Sequence, residues 1–220
     1  ARVGMGDIVQ PGAAPMRLQV EAIGSAPIER IDLFYGKELV RTVRPFAATE
    51  LGRRIRVMWQ GAEYRGRGRE VPWQGTLSIE GGRFERAEPV NFLNPENQLE
   101  VQEPGKRLAW RSVTTGNMAG IDLWLADGQV EELRLETHLA RGRWAAAAIG
   151  IEDLVLQAGG LGRQIRVVRL PDRLPQRVAF TEDVAFTGAT DLPVFVRVTQ
   201  EDGHQAWSSP IYLIASPVPR

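Results

Sequence analysis

Apolar and polar residues alternate in Met16-Arg17-Leu18-Gln19-Val20-Glu21-Ala22, near the start of the chain. Successive side chains of a β-strand point to opposite faces, so this pattern predicts a strand with one buried face. The same alternation recurs in later segments, among them Ile31–Tyr35, Ile55–Trp59 and Leu77–Ile79. About a dozen short strands are therefore expected along the chain.

Turn residues separate these segments. The 220 residues include 23 Gly and 14 Pro, and positions that tolerate a positive φ occur at Gly81-Gly82, Asp127-Gly128, Gly159-Gly160 and Asp202-Gly203. The Ala-rich segment Trp144–Ala148 could begin a helix, but Gly150 argues against one. We expect instead a strand over 145–151 and a turn over 152–156. The predicted fold class is all-β, with antiparallel sheets and little helix.

Composition excludes several classes of protein. Because the chain has no Cys, it has no disulfide framework, thiol nucleophile or Cys-rich metal site. Its 27 basic and 27 acidic residues give zero net charge, which argues against nucleic acid as a partner. No apolar segment approaches the roughly 20 residues of a membrane span. A soluble chain, compatible with the bacterial cytoplasm or periplasm, is expected.

Catalytic groups are sparse. Only His138 and His204 could supply imidazole ligands, and a hydrolytic zinc site needs three protein ligands with an open position. Ser208 and Ser209 lack a nucleophile-elbow motif, and we expect them to satisfy backbone groups beside the last strand. The glycines of 159–162 precede a strand pattern without a Lys-Ser or Lys-Thr pair, so they predict a turn. No catalytic residue, metal or cofactor is expected.

A cluster of arginines and aromatic residues is the best candidate surface. Such a mixture can bind sugars or anionic ligands. The alternative, which we favour, is an exposed face on which the arginines pair with the glutamates of 80–103. Trp59 shares a strand face with Ile55 and Val57 and is expected in the core, whereas Trp124 lies opposite Leu123. The candidate interaction surface comprises Tyr64, Arg65, Arg67, Arg69, Trp73 and Trp124.

Two hairpin-like segments carry a resemblance to known proteins. The first, Ala26-Pro27-Ile28-Glu29-Arg30-Ile31-Asp32-Leu33-Phe34 with Gly36-Lys37-Glu38-Leu39-Val40, resembles a hairpin of bacterial immunoglobulin-like modules. The second, residues 196–212, is similar to the closing hairpin that follows catalytic domains of the PHP (polymerase and histidinol phosphatase) superfamily. Val57–Ala62, Trp73–Leu77, Thr114–Gly116 and Gly120–Trp124 resemble an uncharacterised bacterial family related to that superfamily.

The resemblance implies an accessory role. In such proteins a metal-dependent hydrolase domain precedes a β-rich region, and this chain matches only the latter. The implied partner is therefore an N-terminal catalytic domain of the same polypeptide, whose cleft this region would pack on or shape. A self-contained carbohydrate- or anion-binding module is the alternative.

The resemblance also suggests a split domain, because both hairpins look immunoglobulin-like and a sandwich needs strands from both ends to close. We expect residues 14–60 plus 190–215 to form one immunoglobulin-like sandwich. Residues 61–189 would be a second, inserted β lobe, with two sandwiches in tandem as the alternative. Residues 1–13 would be a linker from the catalytic domain.

Overall fold

A computed structural model describes residues 2–12, 16–126 and 130–215. The chain is all-β, which confirms the predicted fold class. Helix in the described ranges is limited to two single 3-10 turns, Ala48–Glu50 and Ala146–Ala148. The strands, in chain order, are β1 (Ile8–Val9), β2 (Met16–Ile23), β3 (Ile28–Tyr35), β4 (Glu38–Val43), β5 (Arg54–Ala62), β6 (Val71–Glu80), β7 (Phe84–Val90), β8 (Gln98–Glu103), β9 (Arg107–Thr114), β10 (Met118–Leu125), β11 (Glu132–Thr137), β12 (Arg141–Ala145), β13 (Leu154–Gln157), β14 (Leu161–Leu170), β15 (Arg177–Val184), β16 (Leu192–Gln200), β17 (Gln205–Trp207) and β18 (Ile211–Leu213).

The chain divides into two compact units. Unit 1 comprises Ala1–Pro45 and Arg173–Arg220, and unit 2, Phe46–Asp172, is inserted between those two segments. These boundaries differ from the expected 14–60 plus 190–215 and 61–189. Strand β5 belongs to unit 2 because it pairs on both edges there, with β10 and β14, and β15 belongs to unit 1 because it pairs with β2.

Unit 1 is built from a six-stranded sheet and a two-stranded sheet. The larger sheet has the order β1-β18-β16-β3-β4, with β17 also paired to β16, and the smaller one joins β2 to β15. Apolar residues of both sheets form one core, in which Val20 and Val178 of the smaller sheet join Ile31, Leu33 and Val196 of the larger. The alternation that begins at Met16 therefore places every second residue of β2 toward this core.

Unit 2 is a sandwich of two five-stranded antiparallel sheets, with the orders β13-β14-β5-β10-β7 and β12-β11-β6-β9-β8. Their facing sides share one large core. Trp59 is fully buried, as expected, and stacks on Trp110 at 4.9 Å between ring centroids. The Trp59 indole N–H donates to Ser112 Oγ at 2.7 Å across the sandwich. Hydroxyl groups on β9 thus satisfy a polar group that burial would otherwise leave unpaired.

The chain enters and leaves unit 2 at neighbouring strands of that unit. Arg54, at the start of β5, pairs in register with Leu170, at the end of β14. The Gly52 N–H also donates to the Leu170 carbonyl at 3.1 Å. The point where the chain enters unit 2 is therefore close to the point where it leaves.

Local predictions have mixed outcomes. The turn glycines Gly81, Gly159, Gly160 and Gly203 all have positive φ, as expected, and Asp127-Gly128 lies outside the described residues. The strand predicted over 145–151 is wrong, since β12 ends at Ala145 and a 3-10 turn follows. The turn predicted over 152–156 is also wrong in part, since residues 154–156 belong to β13. Within the predicted linker, Ile8–Val9 form a strand that pairs in parallel with β18.

Candidate binding groove

A groove of about 810 Å³ lies on the outer face of the β12-β11-β6-β9-β8 sheet of unit 2. Its floor is formed by Thr76 of β6 and Ala109 of β9, which are register partners. These two short side chains point away from the core, because their neighbours Leu77 and Leu108 are buried in it. Glu136 pairs with Thr76 on one side, and Glu100 pairs with Ala109 on the other. Long side chains therefore flank a low centre.

Polar side chains of several kinds surround this floor. They comprise three arginines, two glutamates, three glutamines and one histidine, and all nine residues are exposed: Arg107, Arg111, Arg141, Glu100, Glu136, Gln74, Gln98, Gln102 and His138. With His138 neutral, three positive and two negative charges leave a net charge of +1 on the groove. The groove thus offers both donors and acceptors, with a slight positive excess.

These groove side chains differ from their neighbours in how they are paired. Among the described residues, none of the nine makes a side-chain hydrogen bond or ion pair with another. Arg134, on the same sheet face, instead binds Glu132 and Glu80, and its hydrogen bond to Glu132 raises its pKa. The groove therefore presents hydrogen-bonding capacity that the described part of the protein does not use.

The structure does not bring the residues of the expected candidate interaction surface together. Tyr64, Arg65, Arg67 and Arg69 lie in an exposed loop between β5 and β6, closed by a hydrogen bond from the Glu63 N–H to the Arg69 carbonyl at 3.1 Å. No ion pair joins these three arginines to a described residue. Arginines outside the loop pair instead with three of the glutamates of 80–103: Arg134 with Glu80, Arg53 with Glu85 at 3.5 Å and Arg86 with Glu88 at 2.7 Å.

Trp73 does not belong to that surface. It follows Val71 on the inward face of β6 and is 0% exposed. Its indole N–H donates to Thr114 Oγ1 at 2.8 Å, and that hydroxyl donates to the Gly61 carbonyl at 2.9 Å. Including Trp73 in the interaction surface was therefore wrong, because the same two-residue period that buries Val71 also buries Trp73.

Trp124 lies on the outer face of the other sheet, opposite Leu123, as expected. The Arg86 guanidinium lies 3.9 Å from the centre of its ring, and that of Arg54 lies at 5.8 Å. Trp124 pairs with the first residue of β5, whereas the Tyr64 loop follows the last. Nine residues of strand separate them by roughly 25–30 Å. Trp124 and the loop therefore do not form one surface.

Ser208 and His204, which the sequence analysis considered as catalytic or metal-binding candidates, contact neighbouring residues of the protein. Ser208 is bonded to the backbone of Val196, accepting its N–H on Oγ at 3.1 Å and donating its own N–H to the Val196 carbonyl at 3.0 Å. His204 Nδ1 lies 3.2 Å from Asp202. Within 2–12, 16–126 and 130–215, no three residues of the metal-ligating types are grouped so as to hold an ion. The described residues also contain no helix with the length and apolar composition of a membrane span.

Buried carboxylates are held by arginines in both units. In unit 2, Asp122 accepts two hydrogen bonds from Arg56, both at 2.7 Å. In unit 1, Asp32 accepts from Arg197 Nη2 and from Thr42 Oγ1, both at 2.8 Å. Because two-point arginine contacts fix a carboxylate in position, these pairs explain part of the arginine content through structure.

Unit 1 exposes a second surface, which we call the apolar face. It is the side of the six-stranded sheet that faces away from the core. Its residues are assigned to this side from the strand register, because register partners on neighbouring strands share a face. At its centre Phe34 stacks on Phe195 with ring centroids 5.0 Å apart. Around them lie exposed apolar side chains: Ile8 (73% exposed), Leu39 (49%), Trp207 (58%) and Tyr212 (41%).

No protein-family model, curated protein or solved structure matches the chain. The resemblance to the PHP-related family and to immunoglobulin-like modules therefore stays a prediction that depends on the sequence segments alone.

Proposed function

We propose that this chain is a non-catalytic accessory region of a larger PHP-like metal-dependent hydrolase, and that it packs on the catalytic domain of the same polypeptide. The observation that carries the proposal is the apolar face of unit 1. Exposed aromatic and aliphatic side chains grouped on one sheet face are characteristic of surfaces that contact another protein domain. The sequence resemblance supplies the identity of that domain.

The contact would use the flat side of the sheet rather than its edge. Phe34 and Phe195 provide a stacked aromatic centre, and Trp207 and Tyr212 add large amphipathic side chains of the kind enriched at interfaces. The Arg197 guanidinium lies 5.2 Å from the centre of the Phe34 ring and is paired with Asp32. The apolar face thus offers several large side chains that a contacting domain can bury.

Site-specific photo-crosslinking tests this proposal. The complete reading frame that encodes the chain is expressed with a benzophenone amino acid at position 212, and crosslinked peptides are identified by mass spectrometry. We expect crosslinks from position 212 to a His- and Asp-rich segment preceding residue 1. The matched control places the same group at Tyr64, an exposed tyrosine of unit 2 (53%, against 41% for Tyr212), and should give none.

Two results would contradict the proposal. One is a reading frame without a metal-ligating domain before residue 1. The other is a crosslinking yield at position 212 that does not exceed the yield at position 64.

A second candidate function is a carbohydrate- or anion-binding module. The unpaired polar side chains of the unit 2 groove favour it, and it is compatible with the first candidate because the two surfaces belong to different units.

A further inference from the structure

The groove of unit 2 has the dimensions of a site for an extended ligand. Its central row crosses four strands, from Glu136 of β11 through Thr76 and Ala109 to Glu100 of β8. Neighbouring strands lie about 4.8 Å apart, so this row is roughly 14 Å long. The volume of about 810 Å³ falls in the range of ligand sites. An oligomer can lie across the strands in such a groove.

Arg111 occupies a distinctive position within it. On the two strands that flank β9, its register partners are Gln74 of β6 and Gln98 of β8. A guanidinium binds a carboxylate through two parallel hydrogen bonds, and an amide can both donate to and accept from a hydroxyl. The three side chains side by side therefore match a ring that carries a carboxylate beside hydroxyl groups.

The charge of the groove limits the class of ligand. Its net charge of +1 favours an anion, but Glu100 and Glu136 at the central row would repel a dense polyanion such as a nucleic-acid backbone. Carboxylates and amides are instead suitable acceptors for sugar hydroxyls. A ligand with many hydroxyls and widely spaced carboxylates fits this pattern best.

We propose that this groove binds an acidic oligosaccharide, with Arg111 holding a uronate carboxylate and Gln74 and Gln98 bonding adjacent hydroxyls. The inference deepens the second candidate function and does not depend on the packing of unit 1 against a catalytic domain. No covalent bond is made or broken in this binding.

Titration calorimetry on the full chain tests it. The probes are tetrasaccharides of galacturonate, guluronate and hyaluronan, each compared with the same tetrasaccharide after reduction of its carboxylates to alcohols. We expect at least one acidic probe to bind at least about tenfold more tightly than its reduced form, because loss of the carboxylate removes a charge-assisted contact.

Two variants locate the binding. Arg111→Ala should weaken binding of that probe by about tenfold or more. Thr76→Trp adds no charge and should abolish binding by filling the floor. The matched control is Arg65→Ala, which removes the same charge from the exposed loop favoured by the sequence and should change the affinity by less than about twofold.

Three outcomes would overturn the inference. Failure of all three acidic tetrasaccharides to bind would remove the ligand class. Equal weakening by Arg65→Ala and Arg111→Ala would reduce the effect to general charge attraction. If citrate displaced the acidic tetrasaccharide as effectively as the unlabelled tetrasaccharide does, the groove would bind anions in general and not acidic oligosaccharides. Circular dichroism of Arg111→Ala checks that the variant is folded, and the crosslinking at position 212 is unaffected by any of these results.

Discussion

Replacing Thr114 with Val is expected to lower the free energy of unfolding of unit 2 by about 2 kcal/mol. The two side chains have nearly the same shape, so packing around this fully buried residue changes little. The hydroxyl, however, accepts from the Trp73 indole at 2.8 Å and donates to the Gly61 carbonyl at 2.9 Å. Its loss leaves the buried Trp73 indole N–H unpaired, which costs about 1–3 kcal/mol, whereas the Gly61 carbonyl still accepts from the Gly116 N–H at 3.0 Å.

Two companion variants separate this effect from packing. Thr114→Ser keeps the hydroxyl and removes only a methyl group, so it should cost about 1 kcal/mol. Thr115→Val makes the same chemical change at the next, exposed position and should stay within about 0.5 kcal/mol of the wild type. The expected order of stability is therefore Thr115→Val, then Thr114→Ser, then Thr114→Val.

Urea unfolding followed by tryptophan fluorescence measures these differences. Five of the six tryptophans lie in unit 2, so the signal reports mainly on that unit. The slope of the free energy against urea should be unchanged, because the exposed area does not change. If Thr114→Val were as stable as Thr114→Ser, the hydrogen bond between the Thr114 hydroxyl and the Trp73 indole would not stabilise the unit 2 core.

Three further changes test other parts of the fold. Arg169 donates to the carbonyls of Ala146 and Ile149 at 2.7 and 2.9 Å, so Arg169→Met should cost about 2 kcal/mol in urea unfolding. A Cβ at Gly120 would overlap Met58 and the carbonyl of Val57, so Gly120→Ala should cost more than about 1 kcal/mol, whereas Gly150→Ala, with open space, should be neutral. Burial raises the pKa of Tyr35, with Glu182 contributing. The unfolded chain therefore loses this proton first, and stability falls as the pH rises above about 10. Tyr35→Phe should reduce that fall, measured by circular dichroism.

The strands were predictable because their signal is local. Alternation at Met16–Ala22 and at Ile55–Trp59 records which side chains face a core, and no knowledge of the partner strand is needed. The assignment of strands to units was not predictable in this way. Strand β5 has the same kind of pattern as β3, and only its pairing with β10 and β14 places it in unit 2.

The candidate groove depends on register. Thr76 and Ala109 are far apart in the sequence, and their short side chains form a floor only because β6 and β9 pair in one particular register. Nothing local distinguishes Arg111 from the arginines of the 63–70 loop. By contrast, the burial of Trp73 could have been predicted, since Val71 and Leu77 share its parity on β6.

The insertion of unit 2 determines how unit 1 can form during synthesis. Strand β3 of unit 1 pairs with β16, which the ribosome makes only after all of unit 2. Without a folded unit 2, the two halves of unit 1 would be joined by a long flexible chain, whose closure costs entropy. Once β5 and β14 pair, the ends of that chain are held at neighbouring strands, which lowers the closure cost by roughly 2–3 kcal/mol. Folding of the inserted unit thus lowers the entropic cost of bringing the two segments of unit 1 together.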